Sequence, residues 1–396
     1  MATQTQERSA SDLDSFRLEV REWLEENCPQ EMRFLPRGMD TSFWGGRNPV
    51  YPSEHHKLWF ERMAQRAWTV PTWPSQYGGG GLDAAQGRVL KQEMERIGAP
   101  DPLASLGIMM LGPALLKFGT EEQKLEHIPL IAQGKIRWAQ GYSEPGAGSD
   151  LASLTTRGED KGDHFLVNGQ KIWTTYGHKA DMIFTLVRTE PDAPKHLGIS
   201  FLLIDMAQDG VNASPIRMIS GNEHFAQTFF DDAYVPKQNL VGEQGRGWDV
   251  AKYLLTFERA SMGQSLGGGT GATVADVALE RLGREGLARE PGLRLEVTET
   301  MMETWAMQIA GERMFDAGKA GSLSPFSPNV MKLLGTELAA RRTRLAMSLG
   351  GFDELAVDGR DAYEWLQAPP NCVAGGSNEV QLNVLSKRAL ELPEQK

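Results

Sequence analysis

The chain has almost no cysteine. Cys28 and Cys372 are the only two among 396 residues, and they form no CxxC pair. That count argues against a disulfide framework or a zinc site and makes a reducing cytoplasm the expected location. Seven histidines are scattered. No HExxH and no i, i+4 histidine pair occurs, so no metal site is expected. Basic charge is also short. Lys and Arg number 41 against 52 Asp and Glu, a net charge of −11. Nucleic-acid binders usually carry the opposite balance, so no nucleic-acid partner is expected. No apolar run approaches the roughly 18 residues that a membrane-spanning helix needs. MATQTQERSASDLD at the N-terminus lacks the apolar centre of a signal peptide. Membrane insertion is therefore not expected.

What is present reads as an ordinary globular protein, 40% hydrophobic and 23% charged. At roughly 100–200 residues per domain, the length allows two or three domains. The first third has helical periodicity. Leu13, Phe16, Val20, Trp23 and Leu24 recur at helical spacing behind Ser11, a candidate N-cap. Residues 53–67, 83–98 and 103–134 continue the pattern, with Thr120 placed to cap a helix. The pattern changes near residue 138. MIFTLVRT (182–189), ISFLLIDM (199–206) and QTFFDDAYV (227–235) are strand-like. HFLVNGQKIW (164–173) carries Asn168-Gly169, which predicts a hairpin turn. From about 246 the period is helical again, with candidate helices over 248–266, 295–318 and 328–349. The expected class is α+β in three parts: a helical domain over 1–137, a middle antiparallel β-domain over 138–243 and a helical bundle over 244–396.

Two motif matches carry little. Gly263-Gln-Ser265-Leu-Gly267 fits a nucleophile elbow, but a helix-period segment precedes it where a strand is needed. Gly267-x-Gly269-x-x-Ala272 fits the loose dinucleotide pattern and fails for the same reason. More informative is GYSEPGAGSDLASL (141–154). Its glycines let the backbone approach a ligand, and Ser143 and Ser149 add hydroxyls. A pyrophosphate or heterocycle site and a plain tight turn both fit it. In NGQKIWTTYGHKAD (168–181), Trp173 and Thr175 share one face if the segment is a strand. That pair could flank a planar cofactor, or Trp173 could simply be core.

YSEPGAGSDLASLTTR, VNGQKIWTT, FFDDAYVP…LVGEQGRGW, FERASMG and AGGSNEVQLNVLSKRALELP together resemble the acyl-CoA dehydrogenase family. WPSQYGGGGLD and KFGTEEQKLEHIPLIAQGKI match its N-terminal part. The motifs run in order along nearly the whole chain. The resemblance implies an N-terminal helical domain, a middle β-domain and a C-terminal four-helix bundle, with FAD between the last two. It also implies an oligomer, dimer or tetramer, whose neighbouring subunit touches FAD. The substrate it implies is an acyl-CoA thioester, which would place the chain in fatty-acid and lipid metabolism, with electrons passing to an electron-transferring flavoprotein. A carboxylate takes the Cα proton while the Cβ hydride passes to flavin N5. The thioester carbonyl then needs hydrogen-bond donors, and the base a partly desolvated place. By motif, Tyr142, Ser143, Gly148 and Ser149 line the flavin and its pyrophosphate. Ser149 also reaches towards the coenzyme A arm. Trp173, Thr174 and Thr175 lie along the ring system, with Thr175 near N5. Ser377 and Glu379 contact FAD from the C-terminal motif.

The sequence departs from the family pattern at the base. Many members carry it in a Tyr-Glu-Gly-Thr run, and Gly375 stands at that glutamate. A second subgroup places it on the first long bundle helix, in a Glu-Arg pair that Glu258-Arg259 matches. Glu258 is therefore the expected base and Arg259 a positioning residue; a structural ion pair is the plainer reading. Gly375 keeps a backbone N–H for the carbonyl and leaves room for a branched or bulky acyl chain. The usual Arg-x-x-Phe-Gly is not intact, with Arg281-Leu-Gly-Arg284 in its place, and Met347 replaces a usual Gln. A heteromeric assembly is thus as open as a homomeric one. Two other readings share the fold: a flavoenzyme of other chemistry, such as a monooxygenase or desulfinase, and a non-catalytic partner subunit.

Overall fold

The computed structural model describes residues 10–35, 38–39, 41–256, 273–350, 355–356 and 359–393. The chain divides into two compact units. The first holds most of residues 1–251, and the second holds residues 252–396 with two short segments, 148–150 and 217–223.

Among the described residues the first unit begins with the α-helices α1 (Ala10–Asn27), α2 (Glu54–Gln65), α3 (Ala84–Arg96), α4 (Gly112–Phe118) and α5 (Glu121–Ala132). A helix needs its first N–H groups satisfied, and for α2, α3 and α5 the sequence supplies side-chain acceptors. Ser53 caps α2, accepting from the His56 N–H. Asp83 with Gln86, and Thr120 with Gln123, form reciprocal capping boxes on α3 and α5. The N-cap expected at Ser11 falls inside α1, which is described from Ala10. Val20 and Leu24 of α1 bury against Trp59, Met63, Trp68, Leu90 and Met94. Removing each from water stabilises by about 1.5–3 kcal/mol.

The strands among the described residues are β1 (Trp138–Gly141), β2 (Arg157–Asp160), β3 (His164–Thr175), β4 (Met182–Arg188), β5 (Ile199–Asp205), β6 (Val211–Ile216), β7 (Phe225–Pro236) and β8 (Leu240–Val241). They form one sheet in the order β6-β7-β3-β2-β4-β5-β8, with β1 beside β4. Most pairs are antiparallel, as expected, but β4 takes both β1 and β2 as parallel neighbours. β4 and β5 are buried almost throughout. Their near-continuous apolar runs fit strands covered on both faces.

Asn168-Gly169 is not a hairpin turn. β3 runs straight through it, and β2 joins β3 at Lys161–Asp163, where Gly162 has φ +96°. At 168–169 the register with β7 shifts by one residue. The Asn168 side chain bridges that irregularity, donating to the Asp232 carboxylate at 2.7 Å and accepting its N–H at 2.9 Å. Gly169 is required there. Its φ is +141°, and a Cβ would lie 2.8 Å from the Thr156 backbone. The Asn-Gly signal thus marked a bulge.

A helix, α6, starts at residue 247 and is described to residue 256. In the second unit, α7 (Val274–Arg289), α8 (Pro291–Lys319), α9 (Ser327–Gly350) and α10 (Arg360–Val373) precede the short α11 (Asn378–Val384). α9 packs against α7, α8, α10 and α11. Ala278, Val297, Leu345 and Leu349 form a core between α7, α8 and α9. Among the described residues no helix is long and apolar enough to cross a membrane.

Candidate functional site

β3 ends in a distortion. Its pairing with β7 slips between Lys171 and Thr174, leaving one extra residue on β3. Trp173 absorbs it at φ +63°, a left-handed conformation that strains a bulky side chain by about 1–3 kcal/mol. The bulge turns the Trp173 ring outward, 51% exposed, edge-on to Phe225 at 6.0 Å between centroids. Thr175, two residues on, is half-buried. Thr174 turns inward instead; it is fully buried and its hydroxyl oxygen accepts from Thr228 at 3.2 Å. Only its backbone is left for a ligand. A flat apolar ring next to a hydroxyl, held out under strain, fits a planar heterocycle with a hydrogen-bonding edge.

The segment after β1 lies beside this strand end. The Tyr142 ring is core, edge-on to Phe184 and Phe201, and it anchors the segment. Half-buried Ser143 accepts the Ile172 N–H at 2.9 Å. Glu144 and Ala147 exchange both backbone bonds at 3.0 Å, closing a two-residue turn. Gly148 and Ser149 are exposed.

Beneath the turn lies an ion pair that sequence reasoning missed. Lys171 has no exposed surface, and its ammonium donates to Glu144 at 2.8 Å and to the Tyr142 carbonyl at 3.3 Å. Glu144 also accepts from the Thr155 N–H, the Thr155 hydroxyl and the Thr156 N–H, at 2.7–2.9 Å. Burial opposes the Glu144 charge, but Lys171 and these donors overcome it and hold the carboxyl at about 2. Burial also draws the Lys171 ammonium down to about 8, with Glu144 resisting. Near neutral pH both groups are charged.

In the second unit, the link between α10 and α11 contains Gly375 at φ +66° and Gly376 at φ +89°. Buried Gln381 donates to both their carbonyls, at 3.2 and 2.9 Å, and is itself oriented by Asn329 at 2.7 Å. Lys332, also fully buried, donates to the Cys372 carbonyl at 3.0 Å and to Asn378 at 2.8 Å. Ser377 caps α11 through the Val380 N–H. Glu379 is exposed in the first turn of α11, and its own N–H and the Ser377 hydroxyl keep its carboxyl below the usual range. The glycine turn therefore sits in a rigid polar cradle. A glutamate at Gly375 would have to adopt the left-handed conformation, which disfavours side chains. Arg281 is committed within its own unit, bonded to Asp361 at 2.6 Å and to the Ala346 carbonyl at 3.1 Å.

Glu258 and Arg259 lie outside the described residues, as do the decoys at 263–272. Of the other expected site residues, Ser143, Trp173 and Thr175 come together on the first unit. Gly375, Ser377 and Glu379 come together on the second. Among the described residues no His, Cys, Asp and Glu side chains gather as metal ligands.

Three family models match the chain. They are the acyl-CoA dehydrogenase N-terminal domain over residues 11–135, the middle domain over 139–233 and the C-terminal domain over 245–390. Acyl-CoA dehydrogenase IpdE1 of Mycobacterium tuberculosis is 35% identical over 389 residues, covering 96% of this chain and 98% of that protein. Acyl-CoA dehydrogenase FadE29 of the same organism is 33% identical over 344 residues, 81% of this chain and 84% of its own. The structure titled Tcur3481-Tcur3483 steroid ACAD is 30% identical with a TM-score of 0.79, covering 98% of this chain and 99% of that one. A chain of the ChsE4-ChsE5 complex from Mycobacterium tuberculosis is 26% identical with a TM-score of 0.72, covering 99% of this chain and 100% of that one.

Proposed function

Because the chain belongs to the acyl-CoA dehydrogenase family, we propose that it desaturates a bulky acyl-CoA at Cα–Cβ, with Glu258 as the base. It is an FAD-dependent oxidoreductase. Bound FAD supplies the two-electron acceptor for the Cβ hydride. Trp173, Thr175 and Ser143 would hold its ring system, and Ser377 and Glu379 are proposed as further contacts to it. Ser149 would meet a polyanionic part of cofactor or substrate through its hydroxyl and N–H. With a net charge of −11, anion binding falls to such local donors and to cations such as Arg259 rather than to the surface as a whole.

Glu258 takes the Cα proton. The Gly375 N–H donates to the thioester carbonyl, where enolate-like charge develops. Arg259 positions the carboxylate or the substrate. The single observation carrying the substrate class is the Gly375-Gly376 turn. It is rigidly held and lacks any side chain where many members have a glutamate, which leaves room for bulk. A relative named a steroid ACAD supports including polycyclic acyl groups. An electron-transferring flavoprotein would take the electrons onward.

The test is the visible spectrum of the purified protein, then flavin bleaching with straight-chain, branched and polycyclic acyl-CoAs. Fastest bleaching by a straight chain would overturn the bulky-substrate reading. A colourless protein would favour a partner-subunit role. Arg281 bears on that reading, since it is held inside its own unit, and two of the similar structures are titled as pairs of chains.

Trp173 gives a separate prediction. Trp173→Gly removes both the ring and the strain of φ +63°. The apoprotein should keep its stability or gain up to about 1 kcal/mol, while its FAD dissociation constant rises at least tenfold. Differential scanning fluorimetry and FAD titration check the two halves.

A further inference from the structure

We propose that the buried Glu144–Lys171 pair is a positioning device for FAD: it locks the 142–147 turn onto β3 and so sets the outward Trp173 bulge. This rests on the reading of Ser143, Trp173 and Thr175 as flavin-facing. Three observations carry it. Lys171 is the last residue in register before the bulge, so whatever fixes its direction fixes where the extra residue is taken up. Its ammonium reaches two points of the neighbouring segment, the Glu144 carboxylate and the Tyr142 carbonyl. Ile172, the next residue, adds the N–H bond to Ser143. The Ser143 and Trp173 backbones are therefore tied together within two residues of the pair.

Energetics point the same way. Two buried charges lose their hydration, and a packed apolar pair would hold the layers at least as well. An apolar contact, however, is non-directional, whereas a saturated carboxylate fixes the position of each of its donors. Glu144 receives four donors, from Lys171, Thr155 twice and Thr156. A slip of β3 would leave one charge unpaired and would turn the strand's faces over. The pair is thus suited to fixing geometry rather than to adding stability.

The experiment separates those two roles. Lys171→Met leaves Glu144 unpaired and should both destabilise the protein and weaken FAD. The double variant Glu144→Gln, Lys171→Met carries no unpaired charge and should unfold at a higher temperature than Lys171→Met alone. Its FAD dissociation constant should nonetheless stay at least tenfold above that of the wild type. Thr155→Val, at an exposed residue whose hydroxyl donates one of the four bonds, provides a milder variant, with about threefold weaker FAD at unchanged melting temperature. Wild-type FAD affinity in the double variant, or in Thr155→Val should the double variant not fold, overturns the proposal. A wild-type protein that binds no FAD overturns the flavin-facing reading itself, which is a different result.

Discussion

Glu258→Gln is expected to abolish reduction of FAD by acyl-CoA while leaving FAD bound. A carboxamide keeps the size and hydrogen bonding of the side chain but accepts no proton at neutral pH. General-base catalysis contributes about 10²–10⁴-fold in rate. Here the loss should lie at the top of that range or beyond it, because an unactivated Cα–H has no other route to its proton. Stopped-flow bleaching of the flavin band measures it directly. The described residues support the assignment from the other side. Position 375 is a glycine at φ +66° in a cradle built by Gln381, Asn329, Lys332 and Asn378, so that position supplies no carboxylate of its own. If Glu258 merely pairs with Arg259, the Gln variant will retain turnover, and the base must be sought elsewhere.

The sequence made the elements legible wherever a local rule governs them. Thr120 with Gln123 announces a helix start because both partners of the capping box lie within four residues. β4 and β5 declare themselves as runs of apolar residues because they are buried on both faces. Asn168-Gly169 misled because the φ > 0 preference that suits a hairpin turn suits a bulge equally well. Trp173 and Thr175 stood out as residue types, but the bulge that exposes one and buries Thr174 depends on β7, more than fifty residues away. The buried polar groups were hidden for the same reason. Glu144 and Lys171 are 27 residues apart, and Lys332 and Asn378 are 46 apart. In a linear reading each looks like an ordinary surface charge or amide. Only folding shows that their partners leave them no exposed surface, or nearly none.

Glu93→Gln is expected to cost about 3 kcal/mol of stability and to flatten its dependence on acid pH. Glu93 is a buried carboxylate on α3 that receives Arg17 and Arg21 from α1 and Arg96 from its own helix, at 2.6–3.1 Å. Breaking a buried pair by removing one partner costs about 3–5 kcal/mol. The lower figure applies because the three arginines are each about a third or more exposed and can hydrate when released. The bond from Arg21 outweighs burial and, with Arg96 and Arg17, holds the Glu93 carboxyl at about 2 in place of its usual 4.5. Its contribution is therefore complete above about pH 4.5. As pH falls from there towards 2, the unfolded chain takes up a proton that the folded one refuses, and stability is lost. Glu144, also held at about 2, loses its contribution over the same window, so the wild type should weaken steeply there. The Glu93→Gln variant starts lower at neutral pH and should fall less steeply, since one of the two carboxylates no longer titrates. Urea midpoints at pH 7, 5, 4 and 3 for both proteins test this. Parallel curves would mean that the arginine cluster does not hold Glu93 ionised, and that α1 stays on α3 through Val20, Leu24, Leu90 and Met94 alone.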